Sequence, residues 1–119
     1  QGPDARDYFA DARLTRDQDR SLRKQELRAA IDSPNVDPAV RKTMSEELQA
    51  VMKYASLETQ AEALVRSRGV DDVMVTLTAS DAMVSVRGKD DRQLAVQVAD
   101  AVAKLTGLRL NAVTVRFQQ

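Results

Sequence analysis

From Asp72 to the C-terminus, apolar and polar positions follow two different periods in turn. Asp72 to Thr78 alternates apolar and polar, and so does Met83 to Arg87. Arg92 to Thr106 then places its apolar residues three and four apart, and Ala112 to Phe117 returns to alternation. These periods predict strand, hairpin, strand, amphipathic helix, strand. Each strand has one apolar face: Val73, Val75 and Leu77, then Val84 and Val86, then Val113, Val115 and Phe117. The opposite face carries Met74, Thr76, Thr78, Met83, Ser85, Arg87, Thr114 and Arg116. A sheet with this one-sided pattern is covered by helices on one side and leaves the other to water or to another polypeptide.

The first half of the chain reads as two helices. Asp4 to Asp32 has no Gly or Pro and is rich in good helix formers. Its apolar positions (Tyr8, Phe9, Ala12, Leu22, Leu27, Ala30, Ile31) are sparse, and Arg13 to Ser21 is mostly charged. Arg13 with Asp17, and Asp19 with Arg23, stand four apart, a spacing that supports ion pairs along the helix. Such a polar helix is expected to be a solvated spacer or a surface that a partner covers. Ser33 to Pro38 breaks the pattern, since Pro34 disfavours helix at Ser33. Asp37 is then placed as an N-cap with Pro38 at the first helical position. Val40, Met44, Leu48, Val51, Met52 and Ala55 form the next stripe, which resumes at Leu64 and Val65. That helix is predicted to run to about Ser67 and to end at Gly69. The two helices around this break predict a helical hairpin.

In the C-terminal part, the hairpin loop is placed at Thr78 to Met83. Asp90 with Gln93 resembles a capping box for the helix that follows. Leu94, Val98, Ala101, Val102 and Leu105 are its expected buried residues, and Gly107 its stop. The fold expected is α+β: an N-terminal helical segment, then an αββαβ unit whose three-stranded sheet carries two helices on one face. The divisions are residues 1–3, which look like the end of a cleavable tag, 4–37 for the charged helix and turn, and 38–119 for the αββαβ domain.

Composition narrows the chemistry. Among 119 residues there is no Cys and no His, and 18 basic residues balance 18 acidic ones. Disulfides and thiolate sites are excluded, and the commonest general base and metal ligand is missing. The carboxylate pairs Asp71-Asp72, Asp90-Asp91 and Glu46-Glu47 sit at element ends or on a polar helical face, where capping and solubility account for them. Gly69 and Gly107 each follow a helix and form no phosphate loop. No catalytic residue, metal or cofactor is therefore expected. An RNA-binding αββαβ module needs aromatic residues on the open sheet face or a GxxG clamp. Phe117 falls on the apolar face and no GxxG occurs, so no nucleic-acid partner is expected. No stretch is long and apolar enough to span a bilayer.

Taken in order, these segments resemble the extracytoplasmic part of the stage III sporulation protein AH family. The resemblance rests on Asp7 to Leu14 at the start and on the Ser33-Pro34-Asn35 break. It also rests on Glu58, Glu62, Leu64 and the run Arg68 to Val73, then on Thr106-Gly107 and Asn111 to Val115. It implies a ring-building module similar to those of type III secretion and flagellar basal bodies. It also implies a membrane anchor preceding this sequence, and a position in the space between mother cell and forespore. The partner implied is a forespore-made protein with a LytM domain, with self-association into a ring as part of a channel. A ring-forming domain of another envelope secretion system, or a small RNA-binding αββαβ module, is the alternative.

Two contact surfaces follow for such a role. A three-stranded sheet has two edges with unpaired backbone groups. Met83 to Arg87 is the expected docking edge, as a hairpin strand is often terminal, with the closing strand as the alternative. The open face (Met74, Thr76, Met83, Ser85, Arg87, Thr114, Arg116) and an exposed helical face bearing Glu58, Glu62 and Arg66 are the candidates for ring packing. With balanced charge and no large apolar patch, the isolated chain is expected to be a monomer.

Overall fold

The computed structural model describes the backbone of residues 5–119 and the side chains from Tyr8 onward; the tag-like residues Gln1 to Pro3 lie outside this range. Helix α1 spans Ala5–Asp32 and α2 spans Pro38–Arg66. Strands β1 (Val73–Leu77) and β2 (Ala82–Arg87) form the hairpin, α3 spans Arg92–Thr106, and a 3-10 turn at Leu110–Ala112 leads into β3 (Val113–Gln118).

Local chemistry sets most of these boundaries. The Asp37 carboxylate accepts the Ala39 N–H at 2.8 Å, and Pro38, which lacks a donor, costs nothing at the first helical position. Arg41 closes the other side of the break by donating to Ile31 O and Ser33 O, both at 3.0 Å. It thereby serves the carbonyl end of α1, whose own last turn has no basic residue. The cap of α3 is Asp91, which accepts the Leu94 N–H at 3.1 Å; the expected box at Asp90 lies one residue too early. Gly107 ends α3 at φ +78°, a left-handed conformation that any side chain strains, and donates to Ala103 O at 2.9 Å.

The sheet order is β1-β2-β3, with β1 antiparallel and β3 parallel to β2. The core lies on one side of it. Val73, Val75 and Leu77 join Ala82, Val84 and Val86, and face Ala61 and Val65 of α2 and Val98 and Val102 of α3. The two helices pack on each other as well as on the sheet. This is the expected α+β arrangement, with two helices on one face.

Two expectations change. The hairpin strand β2 is central, because α3 carries the chain across and lays β3 on β2's far side. The edges are therefore β1 and β3, and Met83 to Arg87 is no edge. In addition, α1 is no detached spacer. It packs along α2 and beside β1, with Phe9 and Leu27 fully or almost fully buried. The long helical hairpin gives a radius of gyration of 16.7 Å, against about 13.5 Å for a spherical domain of this length.

Candidate interaction site

The outer border of β1 is occupied by side chains. In an antiparallel strand the N–H and C=O of one residue point to the same side and alternate along the chain. Arg87 N donates to Asp72 O, so Asp72, Met74 and Thr76 face β2, while Val73, Val75 and Leu77 face outward. Val75 N donates to Glu62 Oε2 and Leu77 N to Glu58 Oε2, both at 2.9 Å. Val73 N is met by the Asp72 carboxylate at 2.9 Å. The carbonyls are met by arginines of α1: Arg13 reaches Val73 O at 2.7 Å and Arg16 reaches Val75 O at 2.8 Å. Two helices thus stand in for a neighbouring strand.

The geometry explains why it works. Four residues of helix rise about 6 Å and two residues of strand about 6.8 Å, so Glu58 and Glu62 keep step with Leu77 and Val75. Arg13, Arg16 and Arg20, at steps of three and four, form one stripe on α1 facing the same border. The charges close on one another. Arg16 lies 2.7 Å from Glu62, Arg20 pairs with Glu58, and Arg13 pairs with Asp72. Burial works against the charge on Arg16, but hydrogen bonding and attraction from Glu62, aided by Asp17 and Glu58, outweigh it and raise its pKa above the usual arginine value. No buried side-chain nitrogen or oxygen among the described residues lacks a partner.

This arrangement overturns part of the predicted site. Glu58 and Glu62 are 2% and 6% exposed, so they cannot present an outward face; Arg66 remains accessible and lies 3.8 Å from Asp72. The anticipated pairs of Arg13 with Asp17 and Asp19 with Arg23 do not form, since Arg13 turns to Asp72 and Arg23 to Glu47 and Glu26. The buried Glu58–Glu62 pair was visible as two acids four apart on the face of α2 that also carries Ala61 and Val65. The arginine stripe was visible as bases at steps of three and four. Neither pattern names the other as its counterpart.

The remaining candidates do come together. Met74, Ser85 and Arg116 lie side by side across the open face, as do Thr76, Met83 and Thr114, with Arg87 beyond. Thr114 and Arg116 are exposed; Met74, Thr76, Met83 and Arg87 are half-buried. Ser85 is buried, a short side chain on the central strand between Met74 and Arg116. Its N–H faces β1, so it is not free for a partner. At one margin of this face, a groove of about 720 Å³ runs between α1 and Thr76, lined by Tyr8, Asp11, Ala12, Thr15 and Asp19. Among the described residues, no cluster of acidic side chains could hold a metal ion, and no helix is long and apolar enough to cross a membrane.

The border of β3 differs from that of β1. Gly88 N donates to Gln118 O, which turns Thr114, Arg116 and Gln118 toward β2 and the backbone groups of Val113, Val115 and Phe117 outward. The Val113 N–H closes the 3-10 turn on Leu110 O; among the described residues, no side chain bonds to the other outward groups.

No curated protein sequence matches this chain significantly. Among solved structures, a chain of the SpoIIQ–SpoIIIAH pore-forming complex is similar at 23% identity and a TM-score of 0.84, over 93% of this chain and 96% of that one. The type III secretion system protein EscJ of enteropathogenic E. coli is similar at 22% identity and a TM-score of 0.56, over 73% of this chain and 59% of that one. At these identities both likenesses speak for the fold. A family model for SpoIIIAH-like proteins matches residues 2–115, nearly the whole sequence, and the chain belongs to that family.

Proposed function

We propose that this chain is a structural component of the mother cell–forespore channel in sporulation, and that it docks a forespore LytM-domain protein along the β3 border. The observation that carries the docking surface is the contrast between the two borders of the sheet. Side chains meet the outward N–H groups of Val73, Val75 and Leu77 and the carbonyls of Val73 and Val75 on β1, whereas the outward groups of Val115 and Phe117 on β3 are open to accept a strand. The family assignment and the likeness to a chain of the SpoIIQ–SpoIIIAH complex support the channel role. In this reading an anchor preceding the sequence holds the domain in the mother-cell membrane, with its soluble part facing the forespore.

The test is a proline at Val115. Its N–H points away from the sheet, so Val115→Pro removes one docking donor and leaves the β2–β3 ladder whole. Circular dichroism should be unchanged, while the forespore partner's extracytoplasmic domain should bind at least about tenfold more weakly. Unchanged affinity with an intact fold removes β3 as the docking border. Ring self-association is assigned to the open sheet face around Met74 and Met83. Met83→Asp should reduce crosslinked multimers in the assembled complex; an undiminished ladder of multimers would rule that face out.

A further inference from the structure

The β3 border offers more than backbone groups. Beside it, between α3 and the strand, runs a groove of about 260 Å³ lined by Ala95, Val96, Ala99, Leu110 and Val115, with Arg92 among its walls. Val96 and Leu110 are 59% and 54% exposed, so this apolar surface is uncovered. A strand laid along β3 places every second side chain in this groove, because residues two apart share a face. The small Ala95 and Ala99 leave room there for branched aliphatic groups. The alternate side chains of the incoming strand fall beside Thr114, Arg116 and Gln118 on the open face.

Four arginines stand at this border, with Asp90 and Asp91 at the start of α3 as carboxylates at one end of it. Arg92 lines the groove, Arg116 stands on the open face, Arg87 follows on β2 and Arg109 opens the 3-10 turn. None of the four forms an ion pair among the described residues, whereas Arg13, Arg16, Arg20 and Arg23 of α1 each meet a carboxylate. Along the sequence no basic excess is visible. The fold gathers these four arginines at one border, while Glu58, Glu62 and Asp72 are matched by Arg20, Arg16 and Arg13 at the other. A second copy of this chain suits the border poorly. Pairing β3 with β3 would bring Arg116 of each copy onto the same face of one narrow ladder, where like charges repel.

We infer that the β3 border selects an extended segment of a different polypeptide in which branched aliphatic side chains alternate with acidic ones. This rests on the reading of β3 as the docking border and specifies the partner's chemistry there. The aliphatic residues fill the α3 groove, and the acids meet Arg116 and Arg87 on the open face and Arg92 and Arg109 at the ends.

Two end-capped peptides of about eight residues, a typical strand length, test it: one alternates Val and Glu, the other Val and Lys. Each is titrated into the 15N-labelled protein and followed by amide NMR. The Val–Glu peptide should move the amides of Val115 and Phe117, leave those of Val75 and Leu77 in place, and bind at least about tenfold more tightly than the Val–Lys peptide. The gap should close in about 0.5 M salt and in the double variant Arg92→Glu, Arg116→Glu. Equal binding of both peptides at β3 overturns the charge assignment while leaving β3 as the docking border. Shifts elsewhere, or none with either peptide, overturn both. If the double variant fails to fold, the comparison of the two peptides on the unaltered protein decides alone.

Discussion

Replacing Glu62 gives the most direct measure of what seals the β1 border. Its carboxylate accepts the Val75 N–H at 2.9 Å and the Arg16 guanidinium at 2.7 Å, and the residue is 6% exposed. Glu62→Ala leaves a buried amide without an acceptor and a largely buried cation without its nearest partner. Breaking a buried pair from one side costs about 3–5 kcal/mol. Glu62→Gln keeps an acceptor for Val75 N–H and nearly the same volume but loses the charge. Its expected cost is about 1.5–3 kcal/mol, the worth of a hydrogen bond to a charged group. Against a total stability of roughly 5–15 kcal/mol, both variants can remain folded and be compared. Urea unfolding by linear extrapolation is the assay, with the slope checked for constancy. A double-mutant cycle with Arg16→Ala should return a coupling of about 0.5–3 kcal/mol. The raised pKa of Arg16 sets the pH dependence. A group whose folded pKa is raised contributes fully below its unfolded pKa, which for Arg is strongly alkaline, and loses that contribution only as pH rises through the folded value. The Arg16 contribution is therefore flat between about pH 7 and 10. A Glu62→Ala cost below about 1 kcal/mol, or equal costs for Ala and Gln, would refute the role given to this carboxylate.

Arg23→Ala should leave the urea midpoint unchanged, because its contacts with Glu47 and Glu26 lie between exposed groups, and a clear drop would mean that this pair does more than its setting allows. Gly107→Ala should cost about 1–2 kcal/mol in the same assay. No atom crowds the added methyl, so the penalty is that of φ +78° itself, and an unchanged midpoint would show that the turn relaxes.

The elements themselves were legible because each is declared locally. Alternation at Val73, Val75 and Leu77 marks β1, Asp37-Pro38 starts α2, and Gly107 stops α3. Strand order was not legible from the hairpin alone. Whether Val84 sits on a central or an outer strand depends on where α3 returns the chain, a choice written in packing between distant residues. The role of α1 was hidden for a related reason. Arg16 and Glu62 are 46 residues apart, and Arg13 and Asp72 are 59 apart. Nearer carboxylates such as Asp17 offered a local explanation for the same arginines. Burial adds what that explanation lacks: a charge entering a low-dielectric border needs a partner there, and the solvated Asp17, though it touches Arg16, does not reach that border. The open face was half legible. Its residues were grouped correctly by period, but the depth of Ser85 follows from its central strand, which the period does not reveal.

The carboxylates and guanidinia along β1 also bear on how this protein tolerates crowding. A sheet with two raw borders can be stacked end to end without limit, which is how fibrils grow. With one margin stoppered by its own side chains, a molecule can receive one strand and pass none on. Any complex joined through the other margin holds a single such seam per chain, however many copies are gathered around it.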